Sequence, residues 1–331
     1  MSKNILVVRY GTIGDTIFSS AFLRELRNGC PDAKIDFLAD KISRQVVSNC
    51  PYIDDIRDIN GKWKNILYYI KIFKKYDTIY FLKNDSFLSI CAFLAGIKNR
   101  VGFRVLRNKF LNKTCKYNED EPEVECYLNL LKVNGIEVHN HKTEVWFGEQ
   151  DTRKILPYIT DKPKVLIQAY SRYSQKNWID EYWAKVIRFL ADKCDATIYF
   201  AGGDKDKPNY EKLMKYVSDI ESNIIDMSGK LSVKESFALV NRMNLFIGID
   251  SGLVHASAAL DIPSVLLNGP TSLKRWAPRS DKCTVISHNF SCSPCCLQTG
   301  VKKGCKNQIS KCMFDIKPEE ITNVISDKFI L

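Results

Sequence analysis

The chain has 331 residues, 45% of them hydrophobic, with 49 Lys and Arg against 38 Asp and Glu and a formal net charge of +11. That much apolar material can fill two cores, and no run of about 18 apolar residues occurs, which excludes a disordered chain and a membrane-spanning helix. Met1-Ser2-Lys3-Asn4 leads straight into an apolar strand with no signal-peptide core, and twelve cysteines without such a signal read as reduced thiols, so a cytoplasmic protein is expected, its charge suited to a phosphorylated glycolipid, a membrane surface or nucleic acid.

The first strand, residues 4–9, runs into the turn Gly11-Thr12-Ile13-Gly14-Asp15, and residues 16–27 carry apolar side chains at helical spacing (Ile17, Phe18, Ala21, Phe22, Leu26). Glycines spaced G-x-x-G do not make the G-x-G-x-x-G of a dinucleotide site, and a carboxylate in that turn would repel a pyrophosphate. Asp15 is better suited to taking a proton; capping the helix that follows is its alternative role. Strands at 34–38, 78–81 and 100–102 then alternate with helices near 63–74, 86–95 and 123–134.

Charge and proline interrupt the alternation at Asp161-Lys162-Pro163, which divides the chain into domains 1–160 and 161–331. In the second, strands at 165–168, 197–200, 224–225, 245–247 and 264–267 alternate with helices near 179–193, 209–217, 232–242 and 253–260. The fold class is therefore α/β, two Rossmann-like doubly wound domains with a cleft between them. The strand at 245–247 turns through Gly248-Ile249-Asp250-Ser251-Gly252-Leu253-Val254-His255 into a helix of small residues. Such a turn aims unpaired N–H groups and the positive end of the helix dipole at a ligand, as a phosphate seat does. Ser251 and Gly252 allow close backbone approach, and His255 can donate from the first turn; an ordinary βαβ crossover with a packed histidine is the plain alternative. Gly202-Gly203 ends a strand where a ligand could sit, although glycine turns there are also routine. Asp204-Lys205-Asp206 imitates a metal-binding D-x-D but opens a charged polar loop, and a magnesium site is not expected there.

These motifs, in this order, resemble the bacterial heptosyltransferases of lipopolysaccharide core assembly, glycosyltransferase family 9. The resemblance rests on Gly11-Thr12-Ile13-Gly14-Asp15, on Asp250 to His255, and on Gly269-Pro270-Thr271 followed by Arg275-Trp276-Ala277-Pro278. It extends through residues 31–38, Arg100-Val101-Gly102-Phe103, Lys176-Asn177-Trp178 and the cysteine-rich tail before residues 315–320. It implies a GT-B type fold whose C-terminal helix, starting near Pro318, crosses back to the first domain. It also implies inverting, metal-independent transfer of a sugar, with heptose from ADP-heptose favoured, to an anionic glycolipid at the inner face of the membrane, with no nucleic acid partner. Asp15 would be the general base and Lys176 the cation beside the leaving diphosphate. Ser251, Gly252 and His255 would surround that diphosphate, with Gly269 and Thr271 nearby, while Asp250 either orients the turn or reaches the nucleotide. Arg100 and Arg104 suit a phosphorylated or carboxylated acceptor, but Phe81-Leu82-Lys83-Asn84 departs from the family's acidic or glutamine-containing stretch.

Cys292, Cys295, Cys305 and Cys312 follow the spacing C-x2-C-x9-C-x6-C. They could hold a structural zinc ion that staples a segment too poor in apolar residues to fold alone; packing thiols are the equal alternative. A nucleotide-sugar epimerase or hydrolase on the same scaffold, and a noncatalytic anion-binding protein, are the competing functions.

Overall fold

The computed structural model describes residues 3–59, 65–104, 109–297, 300–301, 305 and 310–329, and divides into two compact units, Met1–Trp146 and Phe147–Leu331. The first unit runs β1 (Asn4–Val8), α1 (Ile13–Gly29), β2 (Lys34–Ala39), α2 (Lys41–Val47), β3 (Asp55–Asp58), α3 (Ile66–Phe73), β4 (Thr78–Phe81), α4 (Ser86–Leu94), β5 (Asn99–Arg104), β6 (Lys113–Lys116) and α5 (Glu123–Val133). Its six strands pair in parallel in the order β3-β2-β1-β4-β5-β6. Central strands buried on both faces read as continuous apolar runs, which is why β1 is Ile-Leu-Val-Val after its first residue. Tyr69 and Phe73 of α3 share one core cluster with Leu88, Cys91 and Ala92 of α4.

The second unit repeats the plan. It runs α6 (Glu149–Ile155), β7 (Lys164–Gln168), α7 (Asp180–Cys194), β8 (Thr197–Phe200), α8 (Lys207–Met214), β9 (Ile224–Asp226), α9 (Val233–Val240), β10 (Leu245–Ile249), α10 (Gly252–Ala259), β11 (Ser264–Leu267), α11 (Leu273–Trp276) and β12 (Cys283–Ile286). A two-stranded ribbon, β13 (Cys296–Leu297) with β14 (Gly300–Val301), and helices α12 (Lys311–Phe314) and α13 (Pro318–Lys328) follow. The parallel sheet has the order β12-β11-β10-β7-β8-β9. Both sheets are doubly wound, as the alternation of elements predicts.

The structure adds to the sequence-based expectation in the following particulars. The division falls at Trp146–Phe147, ahead of Asp161-Lys162-Pro163, because α6 packs on α9 and Lys154 pairs with Glu235 at 2.9 Å. The C-terminal helix α13, starting at Pro318, packs on α7 and β12, with Ile321 and Ile325 buried in the second unit's core. Strands β3, β6 and β12 and helices α2 and α6 were among the elements not expected; Asp55-Ile56-Arg57-Asp58 and Lys113-Thr114-Cys115-Lys116 are polar edge strands without an apolar run. Among the described residues no helix is long and apolar enough to cross a membrane.

Candidate functional site

In an open parallel sheet ligands bind beyond the carboxyl ends of the strands, where neighbouring crossovers leave in opposite directions. That point lies between β1 and β4 in the first unit and between β10 and β7 in the second. The motifs at residues 11–15 and 250–255 and the Lys176 turn fall on these points.

At the end of β1 the chain passes Gly11, whose φ of +132° suits glycine, and Gly11 N–H donates to the Ser43 hydroxyl at 3.1 Å. Thr12 caps α1: its hydroxyl oxygen accepts from Asp15 N–H at 3.3 Å and its hydroxyl donates to Asp15 Oδ2 at 2.7 Å. The cap is therefore Thr12, the helix starts at Ile13, and Asp15 stands in the first turn with its carboxylate available for other work. Arg9, almost wholly buried, holds the same Oδ2 through Nη2 at 2.7 Å, while its Nη1 donates to the Tyr10 carbonyl. Both contacts fall on one oxygen, Oδ2, and the Asp15 side chain remains 22% exposed. Gly14 is buried inside α1.

Behind this pair lies Glu123 at the start of α5, buried and hydrogen-bonded by Tyr117 at 2.8 Å. Burial, reinforced by the charge of Asp15, pushes the Glu123 carboxyl up to about 8. Across the switch point, Lys83 follows β4 with its ammonium 4.1 Å from the centre of the Tyr10 ring and 3.4 Å from the Tyr10 carbonyl oxygen. The Tyr10 hydroxyl donates to Asp85, the N-cap of α4. Arg9 and Glu123 were not singled out from the sequence. The one signal for Arg9 was a charged residue closing an otherwise apolar strand.

Arg100 and Arg104 sit near opposite ends of β5. Arg104 is exposed at the carboxyl end, whereas the Arg100 guanidinium, near the other end, donates to the carbonyls of Ile97 and Phe110. Arg100 is thereby tied into its own loop, away from the strand ends that carry Asp15.

In the second unit Lys176 closes a single 3-10 turn after β7 and lays its ammonium on Asp250 at the end of β10, 2.7 Å from Oδ2 and 3.3 Å from the Asp250 carbonyl oxygen. His255 Nε2 lies 3.5 Å from Asp250 Oδ1. Burial works against the Asp250 charge, but the His255 hydrogen bond and the Lys176 charge outweigh it and hold this carboxyl well below the usual range. Asp250 is thus a buried anchor that gathers Lys176 and His255. Ser251 stands as the extended N-cap of α10 and turns its hydroxyl to Gln168 Oε1 at the end of β7, leaving the first N–H groups of α10, from Gly252, without a side-chain cap.

Other expected donor residues have local duties. The Thr271 hydroxyl donates to Asn268, whose amide returns a bond to the Thr271 carbonyl at 3.0 Å, closing the turn after β11. A Cβ on Gly269 would stand 2.7 Å from Cys312 Sγ and 2.8 Å from Met313 Sδ, so packing of the tail requires this glycine. Gly203 N–H is held by Asp206 Oδ2 at 2.9 Å, and a Cβ on Gly202 would meet the Asp206 side chain. Asp206 is therefore engaged by the glycine turn.

Of the tail thiols, Cys312 is buried, Cys295 and Cys305 half-buried and Cys292 exposed. Burial, together with the neighbouring thiols of Cys295, Cys305 and Cys292, pushes Cys312 up to about 11. Among the described residues, however, no three Cys, His, Asp or Glu side chains are gathered so as to hold a metal ion. Cys312 is turned under Gly269, while Cys292 faces solvent. Residues 298–299, 302–304 and 306–309 of the same tail lie outside the described residues.

With that geometry established, the chain can be set beside known proteins. Residues 71–306 match the model of glycosyltransferase family 9 (heptosyltransferase). The chain is 23% identical over 314 residues to lipooligosaccharide heptosyltransferase 2 of Haemophilus influenzae, covering 86% of this chain and 88% of that one. The structure of an Escherichia coli ADP-heptose lps heptosyltransferase II superposes with a TM-score of 0.80 at 22% identity, covering 98% of each chain. E. coli heptosyltransferase WaaC with ADP gives 0.72 at 15% identity, with 98% and 99% covered. The family match takes in β4 to β12, including both strands of the second switch point, and the chain belongs to glycosyltransferase family 9, the heptosyltransferases.

Proposed function

We propose that the chain moves heptose from ADP-heptose to a lipopolysaccharide core or a related anionic glycan, with inversion and without a catalytic metal. On this reading Asp15 Oδ1 takes the proton of the acceptor hydroxyl as that oxygen attacks the anomeric carbon. The bond from that carbon to the diphosphate oxygen breaks, and attack opposite the leaving group inverts the centre. Lys176 and the N–H groups opening α10 take up the charge that develops on the departing diphosphate. The observation that carries the reading is Asp15 itself, a partly exposed carboxylate held through one oxygen by Arg9 and Thr12 at the switch point of its sheet.

Family membership supports glycosyl transfer, and the relatives' names support heptose and ADP-heptose. The free thiols among the described residues are in keeping with the cytoplasmic location that belongs to this proposal. The test is to supply ADP-, GDP- and UDP-sugars with a core-glycan acceptor and identify the product by NMR. An α- or β-linkage opposite to that of the donor, formed with ADP-heptose in the presence of chelator, is expected. Retained configuration, or release of nucleotide at the same rate without acceptor, would overturn the transferase reading in favour of another mechanism or a hydrolase.

A further inference from the structure

The charge of this chain is not spread over it. Of its 49 Lys and Arg, 12 lie in residues 59–76 and 86–118, which contain none of the 38 Asp and Glu; the remaining 37 basic and 38 acidic residues nearly cancel. The net positive charge thus belongs to the limb of the first unit that carries α3, α4, β5 and β6. Lys71, Lys74, Lys75, Lys98 and Lys109 are exposed there.

The same limb exposes apolar side chains that its core does not use. Only Tyr69 and Phe73 of α3 are buried, although all of its residues but Lys71 are apolar or aromatic, and Leu67 stands 77% exposed. At the end of α4, Phe93 and Leu94 are about half exposed, at 50% and 52%. Phe93 is held in place by Phe110, 5.5 Å between ring centres, and by the Arg100 guanidinium 5.4 Å above it. Helices α3 and α4 pack side by side over one core cluster, so these exposed side chains belong to a single helical layer.

We propose that this layer is a docking surface for a bilayer carrying anionic lipid, with Leu67, Phe93 and Leu94 entering the interface and the lysines meeting the headgroups. Lysine attraction works over roughly a Debye length and is worth about a fivefold gain in binding per charge near the surface, and apolar side chains add short-range burial. Nucleic acid would be met by the same charge, but it gives exposed leucine and phenylalanine nothing to enter. The surface deepens the transferase reading, on which it rests for its biological sense, since a glycolipid acceptor is held in a membrane.

The experiment is sedimentation of the full chain with vesicles of phosphatidylglycerol in phosphatidylcholine, or of phosphatidylcholine alone. Binding to the anionic vesicles alone is expected, falling at least about tenfold in molar salt. Lys74→Gln with Lys75→Gln should lower it by roughly fivefold per charge, and Leu67→Ser with Phe93→Ser and Leu94→Ser should lower it further while the fold, read by circular dichroism, is unchanged. No binding to anionic vesicles, variants that bind like the parent, or retention on duplex DNA as tight as on vesicles would each overturn the proposal. Transfer to a deacylated, water-soluble acceptor should be unaffected by these surface variants. Failure of the parent protein in that assay would count against the transferase reading and leave the vesicle result standing.

Discussion

The two units place an ion pair at the same point of the same sheet topology and turn it in opposite senses. In the first, the carboxylate of Asp15 is outward and the Arg9 guanidinium lies behind it, at 22% and 5% exposure. In the second, the ammonium of Lys176 is the more exposed partner and the Asp250 carboxylate lies within, at 16% and 10%. One architecture thus turns a carboxylate outward in one copy and an ammonium in the other, according to which partner is anchored in the protein. The buried partner fixes geometry; on the proposed reading the outward one meets substrate.

The largest way to break this comparison is Asp15→Asn. It should lower turnover about 100- to 10,000-fold, the usual effect of losing a general base, while ADP affinity stays within a few fold. Initial rates like those of the parent at saturating acceptor would remove Asp15 from the chemistry. Lys176→Ala should cost less, roughly 10- to 100-fold, and should weaken ADP binding as well, because it removes one charge-assisted contact and leaves the α10 terminus in place. Turnover measured after brief treatment with EDTA should be unchanged; a rate that collapses and returns with magnesium would reassign the leaving-group role to a metal.

A sharper test reverses the second pair. Asp250→Asn frees Lys176 from its carboxylate and should tighten ADP binding several-fold, slowing product release. If calorimetry instead shows weaker ADP binding, Asp250 serves to place Lys176 and does not restrain it.

The smallest effect concerns acid and base stability, where the units should differ in sign. The Asp250 carboxyl lies below its unfolded value, so its contribution is complete above about pH 4 and is lost as the pH falls further. Glu123 is raised, to about 8, so its contribution is complete below about pH 4 and is lost as the pH climbs toward 8. Glu123→Gln should remove that alkaline decline, of order 1–3 kcal/mol, and flatten the melting temperature between pH 5 and 8. An unaltered pH profile in this variant would show that Glu123 is ionised in the native state.

The switch points were legible because each is written as one short contiguous motif: a strand, small turn residues and a helix start. Residues 11–15 and 250–255 announce a ligand-facing turn without knowledge of the rest of the chain. The partners of those motifs were not legible, since Lys176 and Asp250 are 74 positions apart and no periodicity links them. Arg9 closes an apolar strand and Glu123 opens a helix, and each resembles an ordinary terminal charge until the fold encloses it. The same limit explains Gly269, which reads as a phosphate turn in sequence and is required by a sulfur atom 43 positions later. Edge strands such as Asp55–Asp58 escape because only one flank of the strand is paired and their side chains need not be apolar.

The pairing of α6 with α9 bears on how the protein can be taken apart. Ile155 is buried and Lys154 lies on Glu235, so residues that precede the proline break already belong to the later half. A fragment begun at Asp161 would uncover the face of α9 on which α6 had lain, whereas one begun at Phe147 keeps that helix in place. Chimaeras between relatives of this family should accordingly be joined ahead of Gly148, where the seam between hydrophobic cores runs, and not at the more conspicuous proline.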